Sequence, residues 1–157
     1  MDTFFTFTVN GDLLGIPADR VIEVSRETES VRIPGAPPFV MGLINLRGDL
    51  AVAIDMSARV SGSATKANRH LDSKEHHVCV FVRTDHAFLG LIVDELGQLF
   101  VTDQAPVAPP AHELEMTASH LIVGAYALKP KILLLLDPER LLYDDTSATT
   151  DIELKTS

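Results

Sequence analysis

The sequence predicts an all-β fold of two tandem small barrels, each of about five strands. Three observations lead there. Apolar residues alternate with polar ones at period two between turn signals. The chain resembles itself, half against half. Short antiparallel strands lose their exposed edges by closing on themselves. The composition allows such a fold. Of 157 residues, 46% are hydrophobic and 22% charged, enough apolar mass for a core and unlike a disordered chain.

Each element follows from its own residues. Phe5, Phe7 and Val9 alternate with Thr6 and Thr8, and Asn10-Gly11 is the strongest two-residue hairpin signal. Pairing across that turn sets Phe7 opposite Leu14 and Phe5 opposite Ile16, so all four share one face. Pro17-Ala18-Asp19-Arg20 ends the strand in a short helical turn, and Val21-Ile22-Glu23-Val24 reads as a further strand. Pro34, Pro37 and Pro38 mark a loop. A second hairpin runs over residues 41–55 with its turn at Arg47-Gly48, placing Leu43 opposite Val52 and Met41 opposite Ile54. Residues 61–75 are polar and read as a linker or long surface loop. A third hairpin, residues 78–93, turns at Asp85-His86 and puts Val78, Val80 and Val82 on the face of Val93, Leu91 and Leu89. Residues 96–101 continue as a strand, and residues 103–110 are Pro-rich and extended. A fourth hairpin spans residues 122–136. Its run Ile132-Leu133-Leu134-Leu135-Leu136 suits a strand buried on both faces. Asp137-Pro138 then opens a short helix, the acid as N-cap and the proline at the first position.

The halves match at constant offset. Leu14-Gly15-Ile16-x-x-Asp19-x-Val21 repeats as Leu89-Gly90-Leu91-x-x-Asp94-x-Leu96, and Gly42 and Asp55 bracket the second hairpin as Gly124 and Asp137 bracket the fourth. The expected organisation is therefore one domain, residues 1–143, made of barrels at about 3–60 and 76–143 with the linker 61–75 between them, and a polar flexible tail at 144–157. Neither half can fill much of a core alone, so an interface between the barrels is expected, and a groove there is a natural seat for a partner.

Charge and composition exclude several functions. Thirteen Lys+Arg against 22 Asp+Glu give a net charge of −9, which disfavours nucleic acid, including an oligonucleotide-binding barrel pair, and anionic membrane surfaces. The single cysteine, Cys79, permits no internal disulfide and no four-cysteine zinc site. No run approaches a membrane span, and Met1-Asp2-Thr3-Phe4 lacks the basic start of a signal peptide, so a cytoplasmic protein is expected. Two clusters deserve weighing as chemistry. His76, His77 and Cys79 are close in sequence, and His77 and Cys79 would share a strand face as metal ligands with a third from His70, His86 or a carboxylate, yet no spacing matches a zinc pattern, and surface histidines beside a buried thiol explain them better. Asp55, Asp94 and Asp137 each end an apolar strand, where a small metal-dependent hydrolase could gather acids, but capping accounts for them. There is no nucleophile elbow and no phosphate loop. Arg47 differs: a cation at a hairpin turn amid apolar residues has the composition of a binding anchor.

Pro34-Gly35-Ala36-Pro37-Pro38-Phe39-Val40-Met41-Gly42-Leu43-Ile44-Asn45-Leu46-Arg47-Gly48, with the strand ending Ile54-Asp55, closely resembles the signature of the CheW-like chemotaxis coupling family. Gly90-Leu91-Ile92-Val93-Asp94 resembles its second signature, and Leu135-Leu136-Asp137-Pro138-Glu139-Arg140-Leu141-Leu142 its usual end. The resemblance covers about residues 3–143 and departs where the family commonly has proline and this chain has Ala53. It implies two SH3-like five-stranded barrels, no enzymatic activity and no cofactor. It implies an adaptor that joins the cytoplasmic tips of chemoreceptors to the regulatory domain of the CheA histidine kinase, in arrays at the inner face of the membrane. In 157 residues neither kinase catalytic domains nor an added receiver domain is expected. By the same resemblance, Arg47 is the family's receptor-coupling arginine. Val21 and Glu23 match receptor-binding positions, and Gly90 and Leu96 match second-barrel positions lining the same groove. For Val21 and Leu96, plain core packing fits the repeat equally well.

Overall fold

The computed structural model describes residues 1–26, 29–61, 77–109 and 119–142. Most of the expected linker 61–75, the tail 144–157, His70 and His76 lie outside the described residues. Among the described residues there are eleven strands: β1 (Asp2–Val9), β2 (Asp12–Pro17), β3 (Val21–Ser25), β4 (Val40–Leu46), β5 (Asp49–Asp55), β6 (Val78–Arg83), β7 (Phe88–Val93), β8 (Glu95–Leu96), β9 (Phe100–Thr102), β10 (Ile122–Ala127) and β11 (Ile132–Leu136). A helix, α1 (Met56–Ser61), follows β5, and 3-10 turns lie at Ala18–Arg20, Ser119–Leu121 and Pro138–Arg140.

The hairpins form where turn chemistry and alternation agree. Phe5 faces Ile16 and Phe7 faces Leu14 across Asn10-Gly11, both at positive φ as a tight hairpin of this type requires. The third hairpin also has the expected register, Val78 to Val93, Val80 to Leu91 and Val82 to Leu89. In the second, Leu43 faces Val52 as expected, but Val40 rather than Met41 faces Ile54. The register shifts at Gly42, whose φ of 149° lets the backbone pass so close to the Val31 carbonyl that any Cβ would collide with it. The expected strand over 96–101 is broken into β8 and β9, because Gly97 tucks under Thr6 and donates its N–H to the Thr6 carbonyl at 2.7 Å.

The strands form two sheets, ordered β3-β6-β7-β5-β4 and β10-β11-β2-β1-β8, with β9 also on β1. The all-β, two-barrel expectation holds, but the sequential division at 61–75 is corrected. One barrel, the middle barrel, uses β3 to β7. The other, the terminal barrel, joins the first hairpin to β8 through β11. Residues 62–76 therefore connect strands of one sheet and do not separate barrels. The reason lies in two parallel junctions, β2 beside β11 and β5 beside β7, through which each repeat's first hairpin enters the sheet of the other repeat. The duplication is obeyed residue by residue. Leu14 lies beside Leu134 as Leu89 lies beside Val52, and Phe7 faces Leu96 as Val82 faces Val21.

Both barrels close by one device. The chain leaving an edge strand crosses to the opposite edge, bridging Val31 to Leu43 in the middle barrel and Val107 to Ala125 in the terminal one. A single large core lies between the sheets and draws Phe7, Leu14, Ile16 and Leu136 from one and Ile54, Val80, Leu89 and Leu91 from the other. Smaller cores fill the middle barrel, with Ile44, Cys79, Phe81 and Ile92, and the terminal barrel, with Phe4, Tyr126, Leu133 and Leu135.

The strand-end acids are caps and turn acceptors. Asp137 Oδ1 accepts from Glu139 N–H at 3.0 Å, Asp55 Oδ1 from Ala58 N–H at 3.3 Å, and Asp94 Oδ2 from Asn10 N–H at 2.8 Å. Spread over three places, they form no common acidic site.

Candidate functional site

Arg47 stands at the tip of the β4–β5 hairpin. Its φ of 53° and that of Gly48 at 91° give the two positive values a tight hairpin turn needs, an unusual conformation for a residue with a long side chain. Asn45 steadies the turn by accepting the Gly48 N–H on Oδ1 at 2.8 Å. The Arg47 side chain is 81% exposed, and its Nη2 lies 3.1 Å from Glu23 Oε1 on β3, itself 27% exposed.

This ion pair has a particular place. β3 and β4 are the two edges of the middle barrel. The Val31–Leu43 bridge closes part of the seam between them, and Arg47–Glu23 spans another part. Between lies an open groove of about 550 Å³, lined among others by Ser25, Val31, Ile44, Leu46 and Phe81. Val31 is exposed at its rim, whereas Ile44 and Phe81 belong to the barrel core and form an apolar floor. The groove thus presents a cation and an acid over a greasy base, the arrangement of a recognition surface.

The other expected site residues fall as follows. Gly90 is buried in β7, between Phe81 of β6 and Ala53 of β5. A Cβ there would lie 2.9 Å from Cys79 Sγ, 3.2 Å from the Phe81 ring and 3.4 Å from Ile44. Its expected place in a second barrel is corrected: the parallel β5–β7 junction puts it in the barrel of Arg47, under the groove floor. Val21 begins β3, half-buried against the central core. Leu96 is 40% exposed on β8 of the terminal barrel, facing Phe7, and is not among the residues lining the groove. The structure therefore unites Arg47, Glu23 and, from beneath, Gly90, and leaves Leu96 on the other sheet.

Cys79 is buried in the middle-barrel core. Burial, and secondarily the Glu23 carboxylate, push its thiol up to about 12. So protonated a thiol is neither a nucleophile nor a ready metal ligand. Among the described residues, no group of three or more His, Cys, Asp or Glu could hold a metal ion. No described helix is long and apolar enough to cross a membrane.

One residue escaped sequence reading. Arg59 of α1 is 6% exposed. It donates to the carbonyls of Leu141 at 2.8 Å and Arg140 at 3.3 Å, contacts His120 Nε2 at 3.1 Å and lies over the Phe39 ring at 4.4 Å. It fastens the end of the middle barrel to the last turn of the terminal one. Only its place in an apolar helical stretch could have marked it.

Comparison with known proteins gives one answer. The model of the CheW-like domain family matches residues 3–146. The chemotaxis protein CheW of Klebsiella aerogenes is 25% identical over 148 residues, covering 94% of this chain and 86% of that protein. The chemotaxis protein CheW of Treponema pallidum is 27% identical over 87% of this chain and 79% of its own. Protein FrzA of Myxococcus xanthus is 27% identical over 76% and 71%. In fold, the crystal structure of the scaffolding protein TtCheW from Thermoanaerobacter tengcongensis superposes with a TM-score of 0.74 at 23% identity, over 92% of this chain and 94% of that one.

Proposed function

The chain belongs to the CheW-like domain family, and from that premise we propose that its receptor-facing surface is the Arg47–Glu23 groove of the middle barrel. The protein is a non-enzymatic adaptor of chemotaxis signalling. Its work is recognition, without a reaction.

The partners follow from the adaptor role. One is the cytoplasmic tip of a chemoreceptor, a helical hairpin whose apolar ridge suits the floor of Ile44 and Phe81. Arg47 sets the polarity of docking from the rim, and Glu23 holds it there. Val21, two residues before Glu23, extends the contact along β3, whereas Leu96, its counterpart in the repeat, lies on the terminal barrel away from this groove. Gly90 acts from beneath, by letting Phe81 and Cys79 pack closely enough to keep the floor in place. The second partner is the regulatory domain of a CheA-type histidine kinase, met barrel to barrel. Exposed Leu99, Val101, Val107 and Val123 of the terminal barrel are apolar surface available to it. The setting is a receptor array on the cytoplasmic face of a membrane, where many weak contacts add up.

The observation that carries the receptor assignment is an arginine held at a positive-φ turn tip by an acid across the barrel seam, above an apolar groove. The test is calorimetric titration of the protein with a receptor-tip fragment and, separately, with the kinase regulatory domain from the same cell. Binding to both, each undisturbed by prior saturation with the other, is the expected outcome. Failure to bind either would remove the adaptor reading. Mutual exclusion would place both partners on one surface and overturn the two-face assignment.

A further inference from the structure

The two halves of the repeat build nothing separately. Among the described residues, the paired strands within 1–61 are β1 with β2 and β4 with β5, and within 77–142 they are β6 with β7 and β10 with β11; beyond these, each half adds only a single-residue bridge, Val31 to Leu43 or Val107 to Ala125. Every larger sheet is made between halves, by β2 with β11, β1 with β8 and β9, β3 with β6, and β5 with β7. The first half alone is two separate hairpins and one strand without a neighbour (β3), and the second is two hairpins and two such strands (β8 and β9); an isolated hairpin is marginal at best in water. The central core is divided in the same way. One half supplies Phe7, Leu14, Ile16, Ile54 and Met56, and the other supplies Val80, Leu89, Leu91, Leu134 and Leu136. The halves are therefore related to each other as two partners in an interface, joined in the chain by residues 62–76.

We infer that residues 1–61 and 77–142 are an exchangeable pair, and that a second copy of this chain is a partner for each half. A chain whose halves have parted presents two complementary surfaces, and the matching half of another copy satisfies them with the same hydrogen bonds and the same core. The product is a reciprocal dimer of two complete lobes. Each lobe has its own Arg47 groove, with Glu23 and Arg47 from one copy and Phe81 from the other. Exchange is between unlike halves. Two first halves would set Phe7 where Val82 belongs, overfilling the core.

The experiment uses the full chain carrying a protease recognition sequence within residues 62–76, made with two different terminal tags. The uncut protein is first checked against wild type by circular dichroism. Native protein is cleaved and passed over a sizing column. It is expected to run as the uncut monomer and to separate into halves only in denaturant. Separation under native conditions would overturn the pairing. The two tagged chains are then denatured together and refolded at increasing concentration. A dimer carrying both tags is expected to grow with concentration, and cleavage is expected to convert it to monomer-sized particles, since only residues 62–76 join its lobes. Refolding to monomer alone at every concentration would overturn the exchange, as would a dimer that keeps its size after cleavage.

Discussion

At the scale of single residues, the site depends on a backbone conformation as much as on a charge. Arg47 occupies a positive-φ position that asparagine adopts more readily. Arg47→Asn is therefore expected to keep or slightly raise thermal stability, the gain from easier backbone offsetting loss of an exposed ion pair worth at most about 1 kcal/mol. Gly90 is constrained from the opposite side. Gly90→Ala forces a methyl to 2.9 Å from Cys79 Sγ, and a urea titration is expected to show a loss of about 1–3 kcal/mol. Adding Cys79→Ala should recover part of it, because the nearest obstacle is then gone. No recovery would mean that the Phe81 ring sets the limit. Cys79 also links stability to pH. Its thiol is raised in the folded protein from about 9 to about 12, chiefly by burial. Above pH 9 the unfolded chain releases this proton and the folded one does not, so stability falls as pH rises toward 12. Chemical denaturation at pH 8 and pH 10.5 is expected to show a decline in wild type that Cys79→Ala lessens.

At the scale of elements, the local hairpins were legible and their partners were not. Asn10-Gly11 fixes its own register, and Phe7 opposite Leu14 followed from counting. Met41 was misplaced because a bulge at Gly42 depends on how closely residue 31 passes, which no local pattern records. Gly90 was assigned to the wrong barrel for a deeper reason. Alternation tells which face of a strand is apolar, but a buried parallel junction such as β5 with β7 leaves only a continuous apolar run on both strands, with nothing to say which runs meet. Arg47 stands out from its own surroundings as a cation at an apolar turn, and Glu23 by family likeness. Their meeting across the seam needed the knowledge that β3 and β4 are edges of one sheet. That seam yields an element-scale test. Val31→Pro removes the N–H that bonds Leu43 O at 2.8 Å, and Val107→Pro removes its counterpart to Ala125 O at 2.9 Å. Each is expected to cost about 1–3 kcal/mol in urea denaturation. Only Val31→Pro should also weaken binding of the receptor tip, because only that bridge borders the Arg47 groove. Equal weakening by both would move the receptor face away from it.

At the scale of the whole molecule, the repeat announced two related units, but their boundaries do not follow the chain. The barrels comprise β3 to β7 and the strands on either side of them, with one core shared between the sheets. A shared core implies a shared transition. Leu14→Ala and Leu89→Ala, at equivalent places in the two repeats, are each expected to cost about 2–5 kcal/mol. Circular dichroism and amide hydrogen exchange should each report one unfolding step, common to both barrels. Separate loss of one barrel's protection would contradict the single core. This cooperativity is useful to an adaptor. A rigid body with a groove in one barrel and exposed apolar strands on the other can hold two partners in fixed relation, as a flexible pair of domains could not. The central claim is that Arg47, poised over the middle-barrel groove, is the receptor anchor, and one measurement addresses it most directly. It is calorimetric titration of a receptor-tip fragment into wild type and into Arg47→Asn, with the kinase regulatory domain titrated in parallel and both proteins shown by circular dichroism to be folded. The account expects receptor binding to fall at least tenfold in the variant, with kinase binding unchanged. Receptor binding equal to wild type in the folded variant would contradict it.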